Sequence, residues 1–182
     1  MCCRGELCPI MPLNALRLLP ILLASLMAAC LTACGPSRIY EQDYPLAGDT
    51  WQQDSILVFK VDVADVEKAY DLFYHVRYDL DYPYYNLYVR LQVQDSTGQE
   101  QLADRHELVL LDPQTGKPLG SGWGGVYDKD FTALQRIRFA KPGRYQVRVG
   151  QYMRMATLPG LHNFGIRLSE HVAQDAAEEP KP

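Results

Sequence analysis

From Ser55 onward the chain is written in short runs of β-branched and aromatic residues that recur about every ten to fifteen positions, separated by turn chemistry, with no long stretch of helical period. A period of two buries one side of an extended segment and leaves the other wet, so such runs must pair into sheets and pack those sheets together. The clearest case is Tyr85 to Asp95, where Leu87, Val89, Leu91 and Val93 share one face and Tyr88, Arg90, Gln92 and Gln94 share the other.

The exit Asp95-Ser96-Thr97-Gly98-Gln99 is polar, with a glycine for positive φ, and predicts that the run through Leu108 to Leu111 pairs back antiparallel. Asp112-Pro113-Gln114-Thr115-Gly116-Lys117 reads as a second reversal, before a Pro118 to Tyr127 segment. A second hairpin is expected from Gln135 to Ala140, with Ile137 and Phe139 inward, through Lys141-Pro142-Gly143 to Arg144 to Gln151, with Tyr145, Val147 and Val149 inward. Ile56 to Val63, Tyr70 to Tyr78 and the Phe164, Ile166, Leu168 stretch complete about eight strands; Val63 to Ala69 reads as one helical turn or a plain loop. The expected fold is all-β, an antiparallel β-sandwich of about eight strands, jelly-roll or immunoglobulin-like, spanning 55–169. The Pro- and Gly-bearing, aliphatic-poor stretch 34–54 reads as a flexible tether, and 170–182 as a disordered tail.

Residues 1–33 carry the three parts of a secretory signal: basic Arg4 and Arg17, an apolar core from Leu16 to about Leu31, and small residues at a cut site. The run Leu31-Thr32-Ala33-Cys34 matches the pattern at which bacterial lipoproteins are cleaved and acylated, which makes Cys34 the expected lipidation site; Met11 is an alternative start. Two competing readings rank lower: an uncleaved transmembrane helix, for which Pro12 to Ala33 is near the minimum length, and cleavage before Cys30. The cysteines are Cys2, Cys3, Cys8, Cys30 and Cys34, so the processed body has none left for a disulfide and must rest on its own core. The formal charge of −4 becomes −5 once Arg4, Arg17 and Glu6 are removed, which argues against binding nucleic acid through a basic face.

There is no nucleophile elbow, no phosphate loop and no body cysteine, so no enzyme is expected. His75, His106, His162 and His171 show no ligand spacing, and no metal or other cofactor is expected beyond the covalent lipid. His75, on one face with Phe73 and Arg77, reads as a strand histidine at a sheet surface. Asp79-Leu80-Asp81 has the start of a calcium pattern but reads better as a solvated strand end. The candidate interaction surface comes from aromatics. Tyr78 to Tyr88 holds five tyrosines in eleven residues, and Tyr82, Tyr84, Tyr85 and Tyr88 are expected to form that surface with Trp123, Tyr127 and Arg154. Trp123 lies within Gly120-Ser121-Gly122-Trp123-Gly124-Gly125, and both exposure to a ligand and capping of the core are open to it.

Taken in order, Tyr82-Pro83, Tyr85-Asn86-Leu87-Tyr88-Val89-Arg90, Gly122-Trp123-Gly124 with Val126-Tyr127, Gly143-Arg144-Tyr145 leading to Gln151-Tyr152-Met153-Arg154, Leu158-Pro159-Gly160-Leu161 and Gly165-Ile166-Arg167 follow a lipoprotein leader. On these residues, over roughly Asp49 to Leu168, the body resembles the gliding motility lipoprotein GldH family of Bacteroidetes. The resemblance implies a non-catalytic structural or interaction component of the gliding machinery or the linked cell-surface secretion machinery, with envelope proteins as partners. The lipid anchor implies a membrane as well, and the absence of an acidic cluster after Cys34 points to the periplasmic face of the outer membrane. The alternative reading is a glycan-binding exported lipoprotein that stacks sugars on Tyr84, Tyr88 and Trp123.

Overall fold

The computed structural model of the protein describes residues 37–172. The expected leader, Cys34 and the residues after 172 lie outside that range. Eleven strands run through the described part: β1 (Arg38–Pro45), β2 (Thr50–Gln52), β3 (Leu57–Val63), β4 (Tyr70–Asp79), β5 (Asn86–Gln94), β6 (Glu100–Val109), β7 (Ser121–Trp123), β8 (Val126–Ile137), β9 (Gly143–Gln151), β10 (Thr157–Pro159) and β11 (Leu161–Glu170). Eight are long, and the three-residue β2, β7 and β10 are additions at the rims.

All pairings are antiparallel: one sheet runs β1-β11-β4-β8-β7, another β3-β9-β5-β6, and β10-β2 forms a short ribbon. Among the long strands the pairs are nested. The first pairs with the last, β3 with β9, β4 with β8, and β5 with β6, while β4–β11 and β5–β9 contacts join the pairs into sheets. A long hairpin rolled over on itself in this way is the jelly roll, which decides between the two architectures left open by the sequence.

The alternation read from the sequence is the alternation that is buried. Phe59 and Val61 of β3, Leu87, Val89 and Leu91 of β5, and Val147 and Val149 of β9 face Leu72, Tyr74 and Val76 of β4 and Phe164, Ile166 and Leu168 of β11. Trp51 of β2 is fully buried on Phe164, with centroids 4.8 Å apart, and its indole N–H donates to the Ser55 carbonyl at 2.9 Å. Buried hydroxyls need partners to offset lost hydration. Tyr74 therefore meets His106 Nδ1 at 2.8 Å, and Tyr78 donates to the Leu110 carbonyl at 2.7 Å.

Three expectations need correction. The stretch 34–54 is not a tether from Arg38 onward. It holds β1, paired with β11 from Arg38↔Ser169 to Pro45↔Asn163, then a 3-10 turn at Ala47–Asp49 and β2. The tail does not begin at 170 either, because Glu170 ends β11, and His171 donates its N–H to the Ala69 carbonyl while its ring meets Asp71 at 2.8 Å. Third, the hairpin expected across Lys141-Pro142-Gly143 does not form. β8 pairs with β4 and β9 with β3 and β5, so the link between them crosses from one sheet to the other. Arg136, at φ 55°, breaks the regular ladder one residue before β8 ends, its N–H bonded to Asp71 at 2.9 Å. Phe139 is inward as expected, but as a plug between layers, 4.6 Å from Tyr145 and 5.6 Å from Tyr70.

The β5–β6 hairpin does form, with Leu87↔Leu108 and Val93↔Leu102 in register. Asp95 closes its turn by accepting the N–H groups of Thr97 and Gln99 and the Thr97 hydroxyl. Asp112 does the same for Gln114 and Thr115 in the next reversal, where Leu111 bridges Pro118. Beyond Val63, the end of β3, Ala64 to Ala69 is loop.

Candidate functional site

An open groove of about 690 Å³ lies on the four-stranded sheet, lined by Tyr84, Tyr88, Asp104, Arg105, Glu107, Tyr152, Met153 and Arg154. Its walls follow from strand parity. Val89 and Leu87 point inward, so Tyr88 between them points out; across the ladder Tyr88 faces Glu107 and Arg90 faces Arg105. The third wall is the segment leaving β9. Gln151 is buried, its amide donating to the Met155 carbonyl at 3.0 Å and its Oε1 accepting the Met153 N–H at 2.8 Å. The Tyr152 N–H donates to the Tyr88 carbonyl at 2.7 Å. These bonds hold the loop against β5 and leave Tyr152 and Arg154 pointing to solvent.

The groove's acids already have partners. Glu107 accepts from the Asn86 amide, and its carboxylate beside Tyr88 pushes that phenol's pKa up. Asp104 accepts the Arg105 N–H at 2.7 Å and lies 3.2 Å from His106 Nε2. Its arginines do not. Arg105 sits 5.5 Å from the centre of the Tyr152 ring, and neither its guanidinium nor that of Arg154 or Arg90 makes a hydrogen bond or ion pair among the described residues.

The residues expected to form one interaction surface separate. Tyr84, Tyr88 and Arg154 meet in the groove. Tyr82 does not belong to any surface: it is 2% exposed, donates its hydroxyl to the Asn86 carbonyl at 2.8 Å, and burial raises its pKa. The chain folds in at that point because Gly160, at φ 72°, lets the 158–161 segment lie directly on the Asp79–Tyr82 turn, where a Cβ would come within 2.3 Å of the Tyr82 nitrogen. Tyr127 is half-buried, 5.9 Å from Tyr78. Tyr85 is exposed but stands outside the groove, its carbonyl accepting from Leu110 and Leu111. Trp123 is 95% exposed and belongs to the other sheet. Gly124 and Gly125, at φ 69° and 88°, make the two-residue turn joining β7 to β8, and both positive angles suit the twist of a tight hairpin, which holds the indole at its tip.

Sequence reading missed Arg105, Glu107 and Tyr152. Tyr152 lay within a motif already singled out, but the alternation in Glu100 to Val109 is weak because the strand is at a sheet edge, where half-exposed positions tolerate polar residues.

The histidines take structural places. His75 lies 2.8 Å from Asp130 and 3.4 Å from Asp128, at the sheet surface as expected. His162 spans Asp49 at 2.7 Å and Asp79 at 2.9 Å, so Asp79 braces a loop, its other oxygen accepting the Asp81 N–H. No cluster of metal-ligating side chains occurs among the described residues.

These features describe a class: a jelly-roll module with an open groove on one sheet, lined by tyrosines and by charges of both signs. A family model described as the GldH lipoprotein matches residues 38–168, and the chain belongs to that family. It is 28% identical over 146 residues to the gliding motility lipoprotein GldH homolog of Christiangramia forsetii, covering 76% of this chain and 88% of that protein. It is 26% identical over 152 residues to the gliding motility lipoprotein GldH of Flavobacterium johnsoniae, covering 80% and 92%. Among solved structures, a chain of the infectious bursal disease virus Gx strain aligns over 76% of this chain and 34% of its own length, with TM-score 0.29 and 9% identity, too remote to bear on fold or function.

Proposed function

We propose that the protein is a membrane-anchored, non-catalytic component of the gliding motility machinery or the cell-surface secretion machinery linked to it. The observation that carries this reading is the family match over nearly the whole described fold, together with relatives whose names assign them to gliding motility. The anchor is a diacylglyceryl thioether on Cys34 with further acyl chains at the new amino terminus. One chain holds a protein to a bilayer only marginally, while several, at about 0.8 kcal/mol per buried methylene, hold it stably. The jelly roll then stands at the periplasmic face of the outer membrane and docks on envelope proteins through the exposed Trp123 hairpin.

A role without chemistry fits the side-chain inventory. Each histidine braces a carboxylate or a buried hydroxyl, and the groove's acids are spent on neighbouring strand residues. The test is a pair of measurements in the native host. Cys34→Ala should shift the protein from the membrane fraction to the soluble periplasm and abolish labelling by a palmitate analogue, and deletion of the gene should stop surface movement or adhesin display. A labelled, membrane-bound Cys34→Ala protein sinks the anchor; normal movement and display in the deletion strain sink the machinery role.

A further inference from the structure

Arg90 and Arg105 stand directly opposite each other on β5 and β6, both outward, and like charges in that position repel. Neither guanidinium is held in an ion pair among the described residues, and the nearby Asp104 and Glu107, which line the same groove, are bonded to strand neighbours instead. Arg148 of β9 lies one row away, opposite Gln92, also outward and also without an acid. The pair costs the free domain a little and leaves outward guanidinium donors open to an anion.

The tyrosines beside it say which kind. Tyr88 and Tyr152 are 39% and 52% exposed, and the groove they border continues as a shallower depression of about 450 Å³ onto Arg90, sharing Asp104, Arg105 and Tyr152. Its size falls within the roughly 300–1,000 Å³ of ligand clefts. Flat phenol faces accept the C–H side of a sugar ring, and planar guanidinium groups accept a carboxylate in a forked pair of hydrogen bonds. A rigid sugar polymer with regularly spaced carboxylates meets both features at once, whereas a flexible acidic peptide must pay ordering entropy and makes no use of the aromatic walls.

We infer that the outer face of the four-stranded sheet is a binding site for a uronic-acid polysaccharide, with sugar rings against Tyr88 and Tyr152 and carboxylates on Arg90 and Arg105. This site is independent of the anchored-component reading and stands or falls separately.

The test is calorimetric titration of the full chain in detergent micelles with tetragalacturonate, its methyl ester and hexaglutamate, at low and at physiological salt. The expected result is binding of tetragalacturonate that weakens with salt, at least about tenfold weaker binding of the methyl ester and of hexaglutamate, and at least about tenfold loss in the Arg90→Gln/Arg105→Gln double variant. Tyr152→Ala should lose affinity for tetragalacturonate as well. The melting temperature of the double variant should equal or exceed that of the parent, since a repulsive pair has been removed; a merely structural pair of arginines would lower it. Absence of tetragalacturonate binding, equal binding of hexaglutamate, or unchanged affinity in the double variant overturns the site.

Discussion

On the outer face of the five-stranded sheet, His75, Arg77 and Arg167 meet Asp128 and Asp130 across β4, β8 and β11, at 2.8 Å for His75–Asp130 and 3.3 Å for Arg167–Asp130, and Arg167 also lies 4.7 Å from the centre of the Phe73 ring. On the outer face of the four-stranded sheet, by contrast, Arg144 is paired with Asp62 at the edge and Arg90, Arg105 and Arg148 have no acid. The two faces cover the same core and come from strands of similar pattern. What differs is whether outward charges answer one another or are left for something else. The first arrangement contributes modestly to stability; the second lowers it slightly and stores recognition.

That contrast can be broken most forcefully through what the faces share. Phe164→Ala removes a fully buried ring that touches Trp51 and Tyr74, and should cost about 3–5 kcal/mol in urea unfolding while leaving a single transition. Two separated transitions would mean that the sheets do not depend on one core. A smaller effect tests the compensated face. Asp130→Ala leaves His75 and Arg167 short of a partner, and because these groups are partly exposed the loss should be about 0.5–1 kcal/mol, shrinking in 1 M salt. On the bare face the sign should reverse: Arg90→Gln is expected to be neutral or stabilising by up to about 0.5 kcal/mol. If both substitutions destabilise equally, the distinction between the faces is lost.

The finest probe is acid. Asp95 and Asp112 close the turns on either side of β6, and both carboxyls are held below their ordinary value of 3.8, Asp95 first by the Thr97 hydroxyl and Asp112 first by the Thr115 N–H. A carboxyl depressed on folding adds stability that is fully present above its unfolded value and is lost as pH falls through the folded one. Unfolding followed from pH 5 downward should therefore show stability falling below about pH 4, and Asp95→Asn/Asp112→Asn should flatten that limb. An unchanged acid slope would show that the turns contribute nothing to pH dependence.

How much of this was legible in the chain follows from how far apart the partners lie. In a nested set of pairs only the innermost hairpin, β5–β6, is local, and it was read correctly with its Asp95 turn. β9 carries a clean alternation, but the strand expected at Gln135 to Ala140 is only the end of β8, which runs Val126–Ile137 with weak alternation; the partners are β4 for β8 and β3 and β5 for β9, so a turn-like Lys141-Pro142-Gly143 proved to be a crossing between layers. β1 escaped because its half-covered positions are Tyr40, Gln42 and Tyr44 and its one aliphatic, Ile39, is exposed among Arg38, Glu41 and Asp43; it is a strand because β11 supplies its hydrogen bonds. The groove was half legible: Tyr84, Tyr88 and Arg154 were named, but Arg105 and Tyr152 come from a weakly patterned edge strand and a loop held by buried Gln151.

Period-two burial is a property of each strand alone, and so the all-β class and the inward faces of the cleanly alternating β3, β4, β5 and β9 were determined by the amino-acid order. Pairing across a hundred residues is not a local property. Closing such loops costs entropy that only the assembled core repays, so which strands become neighbours, which tyrosines sink inward and which arginines end up facing one another were decided in three dimensions.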